Sequence, residues 1–133
     1  MSNIRLDGIE VEIQKELSGY QKTVKEIVRD ACRETAESCL EEIKENSPVD
    51  TGEYRRGWKL KEEANNALRV SYVIKNTTKP HLTHLLENGH AIVTAGGYTD
   101  GGRVAARPHI GPAERNAKRK LAKLVEEALK NGT

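Results

Sequence analysis

Apolar side chains recur at steps of three and four through Ile9, Ile13, Leu17, Tyr20, Val24, Ile27, Val28, Ala31, Thr35, Cys39 and Ile43. That is the period of a helix showing one face to a core. Ile9, Val11 and Ile13 also alternate, as a short strand would, but the longer spacing runs on past them and predicts one helix over 7–46. Asp7 and Glu10 have capping-box spacing at its start, and Ser18-Gly19 marks a bend. Ser47-Pro48 ends it, because proline biases the residue before it away from helical backbone, and Val49-Asp50-Thr51-Gly52 makes a turn. As a continuous rod the helix would be roughly 55 Å long, against a radius of gyration of about 14 Å for a compact domain of this size. It should outrun its own core and lie on a neighbouring subunit, which predicts a homo-oligomer. The alternative is a break at Gly19 with both halves folded onto one core.

Beyond residue 54 the period changes to two. Trp58-Lys59-Leu60-Lys61 alternates apolar with polar, Asn65-Asn66 offers a hairpin turn, and Leu68, Val70, Tyr72 and Ile74 alternate again, giving two antiparallel strands. Pro80 to Glu87 predicts a short helix with Leu82, Leu85 and Leu86 turned inward, ended at Asn88-Gly89, residues that tolerate left-handed backbone. Ala91 to Ala95 and Arg103 to Ala106 form the arms of a second hairpin whose tip is the run holding Gly96, Gly97, Gly101 and Gly102. If those arms join the first hairpin, the sheet has about four strands. Gly111-Pro112 opens a last helix over 112–130, with proline in a first-turn position where its missing N–H is harmless. Its apolar stripe is Ala113, Ala117, Leu121, Leu124, Val125, Ala128 and Leu129, and Asn131-Gly132 stops it. The pattern is α+β: a single domain over 1–133 with a long N-terminal helix (7–46), a small antiparallel sheet with a short helix and a glycine-rich loop (54–107), and a C-terminal helix packed on the sheet.

Composition narrows the class. The chain has 133 residues, the size of one domain, with 32% charged and 36% hydrophobic residues, no Phe and one Trp, so Ile, Leu, Val and Ala must build the core. A net charge of +2 from 22 basic and 20 acidic side chains is too balanced for a partner chosen by bulk electrostatics, which disfavours a general nucleic-acid binder. No apolar run approaches the roughly 20 residues of a bilayer span, and the first residues lack a signal peptide's layout, so a chain made and kept in a cytoplasm, off membranes, is expected. Cys32 and Cys39 lie seven apart in a helical segment, about 10 Å along the axis. A disulfide needs its Cα atoms within about 7 Å, so both should be reduced, half-buried thiols.

Chemistry-bearing residues gather around the glycine run. His81, His84, Glu87 and His90 fall close together with His109 near in sequence, which raises a metal-dependent hydrolase as an alternative. Gly89 breaks the helical geometry before His90, and neither an HExxH motif nor paired cysteines accompany the cluster. The glycine pairs lack the lysine-serine ending of a phosphate loop, and no serine or cysteine sits in a nucleophile context. No catalytic residue, metal or cofactor is therefore assigned. Lys118, Arg119, Lys120 and Lys123 line part of the last helix, most simply as a solvated face. On a ring they could face duplex DNA, which gives a second alternative, a DNA-binding accessory protein.

Three motifs occur in order: Ser47-Pro48-Val49-Asp50-Thr51-Gly52 with Tyr54 to Trp58, then His84-Leu85-Leu86-Glu87-Asn88-Gly89-His90, then Arg107-Pro108-His109-Ile110-Gly111-Pro112-Ala113. With a long helix before and a helix after, over about residues 7 to 130, this set resembles the tail-component family of long-tailed bacteriophages. These are the neck or tail-completion proteins, related to the minor tail protein Z group. The family often has a tyrosine-alanine pair and a Glu-Phe-Gly-Thr motif where this chain has Leu85-Leu86-Glu87-Asn88-Gly89-His90.

The resemblance implies a structural virion protein of a phage or prophage. It would be made in the host cytoplasm and act at the head-tail interface as a ring, possibly a hexamer. Its partners would be a head connector or stopper protein and a tail terminator or tail-tube protein, with non-specific contact to DNA in the channel. On that footing Pro48, Thr51 and Gly52 set the turn from helix to sheet, Trp58 anchors the first strand, and Glu87 with Gly89 caps the short helix. Pro108 and Pro112 pin the far root of the hairpin. Gly96, Gly97, Tyr98, Gly101, Gly102, Arg103 and Arg107 become the candidate contact surface.

Overall fold

Glu10–Glu16 form a strand, β1, where the helical spacing had predicted the first turns of a helix. Val11 and Ile13 are buried while Glu10, Glu12 and Gln14 are half-exposed, the alternation of a strand with one wet face. The break falls at residues 17–21, around Gly19, and helix α1 runs from Lys22–Asn46. At 25 residues it is roughly 38 Å long, so its length alone no longer calls for a neighbour. Buried Val24, Val28, Ala31, Cys32, Thr35, Ala36, Cys39 and Ile43 keep the expected helical spacing.

The computed structural model describes residues 10–48, 52–93 and 99–131, with side chains at all of these except 84, 90–93, 99–104 and 131. The expectations placed on Asp7, Ile9, Thr51, Gly96, Gly97 and Tyr98 lie outside the described residues. A one-turn helix, α2 (Glu53–Arg56), which the sequence pattern did not foretell, precedes β2 (Trp58–Asn65) and β3 (Arg69–Asn76). Asn66 holds the hairpin turn, its side-chain oxygen accepting the N–H groups of Leu68 at 2.9 Å and Arg69 at 3.0 Å. There follow α3 (Pro80–Asn88), β4 (His90–Val93), β5 (Thr99–Val104) and α4 (Ile110–Asn131).

The architecture is α+β, with a sheet of three antiparallel strands in the order β1-β3-β2. The expected count of about four strands fails because β1 joins this sheet and the second hairpin does not. Among the described residues β4 and β5 pair only with each other. In the central strand Val70 and Ile74 are sealed and share a face with Val11, Ile13 and Trp58 by register. Helix α1 covers that face; α4 lies chiefly along α1 and meets the sheet at β1. Lys120 donates to Ser38 at 2.7 Å and Asn116 to Glu42 at 2.8 Å across the helix pair. Cys32 and Cys39 are free and buried; burial pushes their thiols up to about 11 and about 12, so they stay protonated and unreactive.

Candidate functional site

The chain leaves the body after α3 and re-enters it before α4, and the side chains at that junction form a polar network. Gly89 ends α3 with φ 74, and its N–H reaches Leu85 O at 2.8 Å; an L side chain would be strained there. Returning from β5, Arg107 N–H binds Leu86 O at 2.7 Å. Both ends of the β4–β5 hairpin are thus fastened to the last turn of α3, while its strands make sparse contact with any other element.

Glu87 then does something the sequence pattern did not foretell. Its Oε1 accepts the N–H groups of His109 at 2.8 Å and Ile110 at 2.9 Å, and its Oε2 that of Gly111 at 2.8 Å. The expected role was to cap the short helix that carries it; instead it caps α4. A helix start exposes unpaired N–H groups and the positive end of the helix dipole. No Ser, Thr, Asp or Asn stands at position 109, so a carboxylate borrowed from α3 takes the place of the local cap. Pro112 lies within the first turn, as expected, although the helix begins at Ile110. Pro108 and Arg107 are exposed.

Behind this cap sits an aromatic cluster. His109 is 1% exposed, Tyr54 6% and Trp58 0%, with ring centroids 5.6 to 6.2 Å apart and edge-to-face, a favoured geometry. Tyr54 Oη lies 2.6 Å from His109 Nε2 and 3.1 Å from Thr83 Oγ1. His109 Nδ1 faces the Arg107 carbonyl at 2.9 Å and Glu87 Oε1 at 3.3 Å. Two acceptors at Nδ1 fix the proton there, so Nε2 accepts the Tyr54 hydroxyl and Thr83 donates to Oη. Trp58 Nε1 donates to Ser47 Oγ at 3.0 Å, and the Ser47 hydroxyl donates in turn to Ile43 O at 2.6 Å. Asn76 donates to Tyr54 O at 2.7 Å. Gly52, at φ 86, lets the chain enter α2 so that Tyr54 points inward.

Burial drives the His109 pKa below the ordinary 6.5, outweighing the Arg107 carbonyl and the Glu87 carboxylate, which favour the cation. Burial likewise raises that of Tyr54. A neutral folded imidazole makes stability pH-dependent. The unfolded chain takes up a proton below about pH 6.5 and the folded chain does not, so stability is complete above that pH and falls beneath it by at most about 1.4 kcal/mol per pH unit. Urea midpoints measured between pH 7.5 and 5.5 are expected to drop along this slope, and His109→Gln should flatten it.

Among the described residues the histidines do not converge as a ligand set. His81 is exposed on α3, the side chains of His84 and His90 lie outside the described residues, and the Glu87 carboxylate is engaged by backbone donors. Among the described residues no group of His, Cys, Asp or Glu is arranged to hold a metal ion, and no helix is long and apolar enough to cross a membrane. The junction has the chemistry of a clamp: the Glu87 carboxylate and the buried His109 ring are engaged by neighbouring donors and acceptors, and they hold an arm at a fixed root. Of the expected contact residues, Gly101, Gly102 and Arg103 lie on β5 and Arg107 at the root.

A family model described as "Bacteriophage HK97-gp10, putative tail-component" matches residues 11–89, more than half of the chain, running from β1 to the end of α3. No curated protein and no solved structure matches the chain.

Proposed function

Since the chain belongs to the HK97-gp10-like family of bacteriophage tail components, a structural part of the virion, we propose that it completes the neck, joining head to tail as a ring of several copies without enzymatic activity. The family match carries this reading. The form of the molecule supports it: among the described residues the strands β4 and β5 pair only with each other, and a strand edge left open readily recruits another chain. A two-stranded hairpin is only marginally stable by itself in water, so an arm of this kind gains order by meeting a neighbour. Its fixed root, around Glu87 and His109, aims it. The partners suited to such an arm are a head connector or stopper on one side and a tail terminator or tube protein on the other, with channel DNA touched non-specifically.

Deletion of Ala95 to Gly102 tests the joining role. The shortened chain should keep its fold, since the described strands of the arm make sparse contact with the other elements, while full heads and free tails accumulate unjoined in electron micrographs of lysates. Normal virions from that mutant would refute the assignment.

A further inference from the structure

The near-zero net charge conceals a segregation. The outer face of α1 carries exposed Glu26, Asp30, Glu34, Glu37, Glu41 and Glu45 on the side opposite its buried stripe, with Arg33 among them paired to Asp30 at 3.3 Å. The outer face of α4 carries exposed Arg115, Lys118, Arg119 and Lys123, with no acidic residue between Arg115 and Glu126. Because α1 and α4 pack side by side, one helical layer shows an acidic strip next to a basic one. Like charges three or four apart on a helix cost a few tenths of a kcal/mol each, and both strips repeat that spacing: Glu34, Glu37, Glu41 and Glu45 on one, Arg115, Arg119 and Lys123 on the other. The cross-links between the two helices use Lys120, Ser38, Asn116 and Glu42 and leave these strips pointing outward.

Duplex DNA would satisfy the basic strip and be repelled by the acidic one beside it. A second copy of the chain satisfies both. We propose that copies associate head to tail, the acidic face of α1 in one subunit seated on the basic face of α4 in the next. Such a heterologous contact leaves one face of each kind open at the ends and closes only as a ring. The proposal rests on the multi-copy neck reading and names the surfaces that build it.

Sedimentation velocity on the purified full chain tests it. The wild type should associate at about 0.01 M salt and dissociate at about 1 M, as the screening length shrinks from about 30 Å to about 3 Å. Glu37→Lys with Glu41→Lys, and separately Arg115→Glu with Arg119→Glu, should each sediment as folded monomers at low salt, with helical circular dichroism retained. Mixing the two variants should restore association in equal proportion. The proposal is overturned if the wild type stays monomeric at low salt, if the mixture does, or if a monomeric wild type binds a short duplex. Association that stops at a symmetric dimer, in which each strip meets its opposite reciprocally, or that is indifferent to both reversals also overturns it, yet leaves the neck reading standing, because joining is read separately on virus particles.

Discussion

Glu87→Ala should lower the stability of the folded chain by about 3 kcal/mol, seen as a fall of roughly 10 °C in Tm. Its carboxylate serves the N–H groups of His109, Ile110 and Gly111 while only 14% of the side chain meets solvent. A charge-assisted hydrogen bond contributes about 1.5–3 kcal/mol; water entering the truncated site would replace part of that. Glu87→Gln is the informative companion. Its carbonyl oxygen can still take the place of Oε1 for His109 and Ile110, but its NH₂ would turn a donor toward the N–H of Gly111, so about half of the loss should return. Urea denaturation of the three proteins checks the order. A Glu87→Ala chain as stable as the parent would mean that α4 is capped some other way.

A still larger loss, about 3–5 kcal/mol, is expected for Trp58→Ala. The indole is fully buried, packs edge-on against Tyr54 and His109, and gives its only N–H to Ser47. Removing it empties a large volume at the point where α1, α2 and β2 meet. Total stabilities of natural domains are about 5–15 kcal/mol, so this one truncation should consume much of the margin and lower soluble yield at 37 °C. Trp58→Phe retains most of the packing and loses the hydrogen bond, and about 1–2 kcal/mol is the expected difference. Equal urea midpoints for Trp58→Phe and Trp58→Ala would contradict the packing argument.

These residues also mark how far the sequence could be read. The amphipathic period of α1 and α4, the β2–β3 hairpin at Asn65-Asn66 and the stop of α3 at Gly89 were legible because each rests on local chemistry: spacing, turn residues and tolerance of positive φ. Strand β1 was not. Ile13 fits a two-residue period and a helical one equally, Val11 fits only the former, and Leu17, Tyr20 and Val24 continue the helical spacing by coincidence across the bend at Ser18-Gly19. What decides for the strand is the open edge of β3, a partner far away in the chain.

The capping role of Glu87 was hidden for the same reason, since it reaches across more than twenty positions to another helix. One signal did exist: the stretch His109-Ile110-Gly111-Pro112 opens a helix without any residue able to cap it, which implies a donor-hungry start served from elsewhere. The separation of β4–β5 from the main sheet is a matter of tertiary placement that alternation in the sequence does not encode.

With Leu86, Glu87 and Gly89 all at the end of α3, the place where the arm departs, the place where it returns and the first turn of α4 share a single fulcrum. Loss of the Glu87 carboxylate would therefore loosen the root of the arm and the start of α4 together.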